Sequence, residues 1–149
     1  MTKAWGIPIW CFMHTLSVKI KPDHYIRVKE ELLNHIKMIC ASLPCPECAH
    51  HASLYMNAIT IKHVPTQQAF VKMLWEFHNS VNNRLGKPMF SFESLDIYKR
   101  VNLQFMFITF SSAFGKPLNN PRLLLDSMSR TRKIAQIKSW IERNRPYFT

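Results

Sequence analysis

Cys45 and Cys48 stand one helical turn apart inside the stretch Leu43-Pro44-Cys45-Pro46-Glu47-Cys48-Ala49-His50-His51, where prolines on both sides of Cys45 mark the entrance of a helix. Proline brings a preset φ and lacks an N–H that the first turn would leave unsatisfied in any case. The Cys45 thiol then faces unpaired backbone N–H groups at the positive end of the helix dipole, which favours thiolate and marks Cys45 as the reactive sulfur. Three chemistries are open to this spacing: a redox dithiol, a structural zinc held by Cys40, Cys45, Cys48 and His50 or His51, or inert thiols. A c-type haem site is excluded because Ala49 follows the second cysteine where histidine is needed. A thioredoxin-like site needs strands around the motif, whereas the flanking chain shows helical periodicity and the whole chain has only three glycines. On spacing alone, zinc and redox stay evenly matched.

A chain of 149 residues is long enough for one domain with a real core and too short for two comfortable ones. Hydrophobic content of 47%, with four tryptophans and ten phenylalanines, excludes disorder. No apolar run is long enough to cross a bilayer, and the richest, residues 103–110, is interrupted by Gln104 and Thr109 and reads as a buried segment. The start, Met1-Thr2-Lys3-Ala4-Trp5-Gly6, lacks both the basic-then-apolar pattern of a secretory signal and the Arg-rich look of a transit peptide, so neither export nor a membrane is expected. The formal charge of +11 raises the question of nucleic acid. The basic residues are spread along the chain, with a modest concentration at 122–145, and read instead as a solvated surface that also suits an anionic cofactor. Four cysteines without export argue against a disulfide framework and leave catalysis or metal binding.

Helical spacing organises the rest. Ile9, Phe12 or Met13, Leu16 and Ile20 predict a helix over 6–20, with Trp10 and His14 four apart on one face. Tyr25, Val28, Leu32, Ile36 and Ile39 predict a second over 24–42, on which Cys40, like Cys11 on the first, reads as a small buried hydrophobe. The third runs from the cysteine turn to 58. In the fourth, Thr66 is the N-cap, Phe70, Leu74, Phe77, Val81 and Leu85 form the apolar face, and Gly86 and Pro88 are the stop. Its other face gathers Trp75, His78, Asn79 and Asn82, and two asparagines beside a histidine in mid-helix point to a polar ligand, because asparagine is a weak helix former. A fifth helix is expected from Ser91 through Leu95, Tyr98, Val101 and Leu103, with helix and strand both open beyond Gln104. After the loop of residues 115–120 a last helix is predicted, with Asn120 as N-cap, Pro121 in its first turn, and Leu124, Met128, Ile134, Ile137 and Ile141 inward.

Three blocks, Trp5-Gly6-Ile7-Pro8-Ile9-Trp10-Cys11-Phe12-Met13-His14-Thr15-Leu16, Leu43-Pro44-Cys45-Pro46-Glu47-Cys48 and Phe77-His78-Asn79-Ser80-Val81-Asn82-Asn83-Arg84-Leu85-Gly86-Lys87-Pro88, resemble in order and spacing the signatures of the Erv/ALR family of FAD-linked sulfhydryl oxidases, the short members from large DNA viruses in particular. The resemblance implies an all-α four-helix bundle with a short fifth helix, usually a homodimer, that holds FAD with its isoalloxazine ring beside the Cys-x-x-Cys pair. It places Trp10, His14, His78, Asn79 and Asn82 around the flavin nucleotide, with Gly6 and Val81 from the same blocks, and Lys87 at the pyrophosphate. Trp75 would lie along the cofactor and Tyr98 and Lys99 at the nucleotide end, while His51 and Tyr55 match the short viral members. Residues 1–101 would form the FAD-binding unit. Residues 102–149 would be an additional, mainly helical extension, packed on the same domain, set at a dimer interface or recruiting a thioredoxin-like carrier.

The implied chemistry is disulfide formation in a thiol-containing protein substrate. A substrate thiolate attacks Cys45, Cys48 lies against the flavin, and dioxygen takes the electrons as hydrogen peroxide. The alternative of another class is a zinc-stapled helical binding module with a basic face toward nucleic acid. Two departures from the family pattern matter. Trp75 and Phe92 stand where cellular members place a structural disulfide, and no cysteine follows Cys48, so the shuttle pair of those members is missing and direct exchange with substrate follows. By the same analogy with viral members, the place of action is the cytoplasm of an infected cell or the virion.

Overall fold

Helix α1, Gly6–Lys19, is the element the others pack around. In a computed structural model that describes residues 5–116 and 124–149, with side chains of the last helix described from 125, α1 lies against α4, α5 and the segment between them. Phe12 and Leu16 are fully buried on it. Its last turn leads at once into α2, Pro22–Ala41, because Pro22 stands in the first turn, where a missing N–H costs nothing. Helix α2 buries Tyr25, Val28, Leu32, Ile36 and Ile39 along one stripe and delivers Cys40 to the core.

Helix α3, Pro46–Asn57, begins at the cysteine turn as its prolines require. Cys45 is the N-cap residue, extended at φ −152° and ψ 109°, and its sulfur accepts the Cys48 N–H at 3.3 Å. After a 3-10 turn at Ile61–His63, helix α4, Gln67–Arg84, is capped by Thr66, whose hydroxyl accepts the Ala69 N–H at 3.1 Å. Gly86 ends it at φ +71°, a conformation that glycine alone adopts without a Cβ penalty. Helices α1 to α4 thus share one core, in an all-α fold.

Beyond α4 the structure departs from the expected helices in three places. The expected fifth helix is two elements: a 3-10 helix, Phe92–Lys99, and a separate α-helix α5, Leu103–Phe114. Asn102 divides them, since its carboxamide accepts the Phe105 N–H at 2.9 Å and opens a new helix instead of continuing the old one. The stretch 103–110 is helix, yet it is not a buried segment: Phe110 is fully buried, as is Phe114 just beyond it, whereas Phe105 is 60% and Ile108 57% exposed. One helix resting on α1 can bury only one stripe.

The last helix, α6, Leu124–Arg143, keeps Ile134, Ile137 and Ile141 inward as expected and departs from the expected stripe at Met128. Ser127, Arg130, Ile137 and Trp140 are buried while Met128 is 53% exposed, so the inward stripe passes through 127, 130, 137 and 140. Asn120 and Pro121, expected to start this helix, and the Leu124 side chain lie outside the described residues. Two polar groups anchor the observed stripe. Arg130 donates from Nε to the Phe114 carbonyl at 2.8 Å, and Trp140 donates its indole N–H to Glu31 of α2. Gly115 fits at the junction because a Cβ there would lie 2.9 Å from Ile134 Cδ1. The chain then closes on α1: Ile20 bridges Phe148, with Thr149 N–H on the Lys19 carbonyl at 2.8 Å.

The phase of α6 is testable by truncation. Trp140→Ala should lower unfolding free energy in urea by about 3–5 kcal/mol, as loss of a buried aromatic does, whereas Met128→Ala should stay within roughly 0.5 kcal/mol. The opposite ranking would contradict the packing.

Candidate functional site

A cleft of about 470 Å³ opens between α1, α3 and α4. Helix α1 contributes Gly6, Trp10 and Cys11, α3 contributes Glu47 and Cys48, and α4 contributes His78, Val81 and Asn82. Lys87 and Tyr98 come from the chain beyond α4. Seven residues expected at a cofactor on the basis of resemblance, Tyr98 among them, therefore meet here with Cys48.

The centre of the cleft wall is a stack of rings. Trp10 lies on His78 with centroids 3.8 Å apart and planes 4° from parallel. His14, one turn along α1 from Trp10, hydrogen-bonds His78 from Nε2 to Nδ1 at 2.9 Å. His14 is fully buried, and burial, with a smaller push from His78, lowers its pKa to about 3. Burial and then Lys87 lower that of His78 to about 4. Both imidazoles are therefore neutral near pH 7. The Nδ1 atom of His14 is buried with no hydrogen-bond partner, and so is that of His51 on α3. His24 Nδ1 on α2 is a third such atom, and none of the three residues lines the cleft.

Tyr98 stacks on His14 at 5.3 Å and donates its hydroxyl to Cys11 Sγ at 3.7 Å. Burial, followed by the proximity of Cys11, raises its pKa. Cys11, expected to be a buried core residue, is half-buried and lines the cleft. Cys40 does behave as a core thiol: it is 1% exposed and burial pushes its pKa up to about 12.

Other expected site residues serve the frame around the cleft. Asn79 is buried and gives both ends of its carboxamide to Phe90, donating to the carbonyl and accepting from the N–H, each at 3.0 Å. Trp75 donates its indole N–H to the same carbonyl at 2.9 Å and meets Phe92 edge to face at 5.5 Å. Asn82, in the cleft wall, also donates to Pro88 O at 3.4 Å. Tyr55 stands behind the wall on Phe77, 4.8 Å between centroids. Lys99 is exposed and pairs with Asp96 at 3.0 Å. None of Asn79, Trp75, Tyr55, His51, Lys99 or His14 lines the cleft itself.

Cys48 faces the cleft, half-buried, whereas Cys45, expected to be exposed at the helix start, is 9% exposed and does not line it. As expected, the N-cap geometry sets the Cys45 sulfur against a first-turn N–H, that of Cys48, and this leaves the residue nearly covered. Arg84 is a lining residue that sequence reasoning left without a role, although it lies in the same 77–88 block as Lys87 and supplies a second cation. The cleft can hold a planar aromatic group against Trp10 and His78 with an anionic tail toward Lys87 and Arg84. Among the described residues no group of three or more His, Cys, Asp or Glu side chains could hold a metal ion, and no helix is long and apolar enough to cross a membrane.

Comparisons with known proteins bear on the family of the chain. The profile of the Erv1 / Alr family matches residues 8–102, which takes in α1 to α4 and the 3-10 helix and stops before α5. An African swine fever virus protein named FAD-linked sulfhydryl oxidase is 32% identical over 99 residues, covering 64% of this chain and 81% of that protein. A putative FAD-linked sulfhydryl oxidase of Invertebrate iridescent virus 6 is 36% identical over 93 residues, covering 57% of this chain and 82% of its own length. The Arabidopsis thaliana FAD-linked sulfhydryl oxidase ERV1 is 29% identical over 91 residues, 61% of this chain and 47% of the plant protein. No solved structure matches.

The buried imidazoles make a pH prediction. Both native pKa values lie below the ordinary 6.5, so between pH 6.5 and about 3 the unfolded chain binds protons that the native chain does not. Their contribution to stability is complete above pH 6.5 and is lost as pH falls through that window. The melting temperature should drop between pH 7 and pH 5, and His14→Asn should flatten the drop; an equally steep profile in the variant would refute the burial argument.

Proposed function

This chain belongs to the Erv1 / Alr family, and from that premise we propose that it is an FAD-linked sulfhydryl oxidase that forms disulfide bonds in thiol-containing protein substrates, with dioxygen as the final acceptor. The observation that carries the reading is the cleft that joins Cys48 to Trp10, His78 and Lys87 in one wall.

The residues suit FAD. Trp10 and His78 offer aromatic faces to its rings, and Lys87 and Arg84 are cations for a pyrophosphate. When bound, the flavin accepts the electron pair of a dithiol and passes it to dioxygen. The chain's own residues do the rest. His14 and His78, neutral and mutually hydrogen-bonded, orient a ring without gaining charge. Phe77 and Val81 help keep water from the floor of the cleft.

The exchange runs at Cys45 and Cys48. A substrate thiolate forms a bond to Cys45 Sγ while the Cys45–Cys48 bond breaks and Cys48 leaves as thiolate. A second substrate thiolate then attacks the mixed disulfide and releases Cys45, so the substrate loses two electrons and becomes a disulfide. Cys48 is the sulfur on the cofactor side because it faces the cleft and Cys45 does not.

We read residues 1–101 as the FAD-binding unit and 102–149 as an extension of this chain's own, the working assembly as a homodimer, and a thioredoxin-like carrier as a further candidate donor. The viral relatives favour action in the cytoplasm of an infected cell or in the virion.

The purified protein should be yellow and should consume oxygen with dithiothreitol. Cys45→Ser and Cys48→Ser should each keep the flavin absorbance and lose turnover. A colourless protein, or a Cys48→Ser variant with full turnover, would overturn the reading.

A further inference from the structure

A separate concavity of about 390 Å³ borders the redox turn. One wall is the chain entering α3, with Pro44, Pro46 and His50; the other is α6, with Asp126, Arg130 and Lys133. Helix α6 lies beyond residue 102, outside the stretch that matches the family, so this wall is supplied by a part of the chain that the oxidase core does not account for.

The wall is built before anything binds. Arg130 is 2% exposed and held by the Phe114 carbonyl at 2.8 Å and Ser127 Oγ at 3.1 Å. Lys133 donates to the hydroxyl of Ser42, three residues ahead of Cys45, which fastens α6 to the approach of the motif. An ammonium has three donors, and that bond uses one. Among the described residues neither Arg130 nor Lys133 forms an ion pair; those present are Lys72 with Glu76 and Lys99 with Asp96, each within its own helix.

Cys45 is 9% exposed and lines neither the groove nor the cleft, but the residues on both sides of it, Pro44 and Pro46, line the groove. Prolines there offer apolar rings and no N–H donors, so polar recognition falls to α6 across the groove. In the groove α6 presents Arg130 and Lys133 against Asp126, and the chain over 125–145 as a whole has six basic residues against two acidic ones, with Lys138, Glu142 and Arg145 at a separate concavity. A chain with formal charge +11 draws an acidic segment in.

We propose that this groove seats the polypeptide flanking the reactive thiol of an acidic protein substrate, with Lys133 meeting a carboxylate of that segment. The inference rests on the sulfhydryl-oxidase reading and names the substrate class for the same redox pair.

Two labelled peptides test it, each with a Cys-Gly-Gly-Cys centre, one flanked on both sides by three glutamates and one by three lysines. Turnover of dithiothreitol is the reference for loaded, folded enzyme, and fluorescence anisotropy with serine in place of both peptide cysteines reads binding without turnover. The acidic peptide should bind more tightly and show the lower KM. Lys133→Glu should raise its KM and Kd about fivefold, the equivalent of one partly exposed ion pair, with kcat held. Asp126→Asn, at an exposed lip, should lower both, and it carries the test if Lys133→Glu fails to fold. Equal binding of the two peptides, or an Asp126→Asn variant that does not favour the acidic one, would overturn the groove. Failure to oxidise dithiothreitol would overturn the oxidase reading instead, with the anisotropy still reporting on the groove.

Discussion

The hydrogen bond between His14 Nε2 and His78 Nδ1 is the contact that ties α1 to α4 at the site. It needs one facing nitrogen to carry a hydrogen and the other a lone pair, so both rings cannot be charged, and burial keeps both neutral: the low pKa of each is first a desolvation effect, to which the neighbouring ring or Lys87 adds. One proton lies between the two nitrogens, and its position decides what the far side of His14 presents. If His14 donates, its Nδ1 is left as an acceptor; if His78 donates, His14 Nδ1 carries the hydrogen. Either way a buried atom without a partner in the protein has a defined polarity. Trp10 at 3.8 Å fixes the tilt of the His78 ring, so a planar ligand meets a surface whose orientation is already set.

That contact depends on a junction that lacks the expected covalent staple. Trp75 and Asn79 both donate to the Phe90 carbonyl, and Asn79 accepts the Phe90 N–H, which closes three hydrogen bonds over one residue. At roughly 1 kcal/mol net apiece, with about 0.5–1.5 kcal/mol for the edge-to-face contact of Trp75 with Phe92, the junction reaches the ~2–5 kcal/mol that a native disulfide contributes. It also does something a disulfide at 75 and 92 would not. It holds the Phe90 ring 4.6 Å from His78 and 5.9 Å from His14, so the clamp on the loop becomes the back wall of the imidazole pair.

The same residues show where reading a sequence stops. Helices α1 to α4 were legible because each has a long 3.6-residue stripe and a chemical end: Pro22, the cysteine turn, Thr66 and Gly86. The cleft was legible through the three blocks that carry Trp10, Cys48, His78 and Lys87. The use of Asn79 and Trp75 was not. A carboxamide in mid-helix satisfies a ligand or a loop equally well, and the loop in question returns eleven residues later, a distance that periodicity does not encode. Helix α5 misled for the opposite reason, because an apolar run specifies that a segment seeks cover without specifying how much cover the neighbours provide. In the first half of α6, hydrophobicity alone favoured Met128 over Arg130, whose guanidinium is buried on the Phe114 carbonyl, whereas the expected Ile134, Ile137 and Ile141 do pack inward.

That buried guanidinium bears on the charge of the whole chain. With 20 basic residues against nine acidic ones, most cations have no carboxylate to meet, and a purely solvated surface is the simplest outcome. Several go elsewhere: Lys37 donates to the Ile59 carbonyl and Lys133 to Ser42, and two reach helix ends. Lys19, 7% exposed, donates to the Lys99 carbonyl at 3.2 Å, at the last residue of the 3-10 helix, and Arg130 donates to the Phe114 carbonyl, at the last residue of α5. The C-terminal carbonyls of a helix lack intrahelical partners and carry the negative end of its dipole, so each of these buried cations meets partial charges that a third element would otherwise leave unsatisfied. Main-chain acceptors at these helix ends thus stand in for the missing acids, one within residues 1–101 and one within 102–149, and Lys19 also reaches across to the Thr149 carbonyl at 3.5 Å. A carbonyl is offered by whatever residue occupies the position, so these contacts depend on where the helices end more than on which side chains end them.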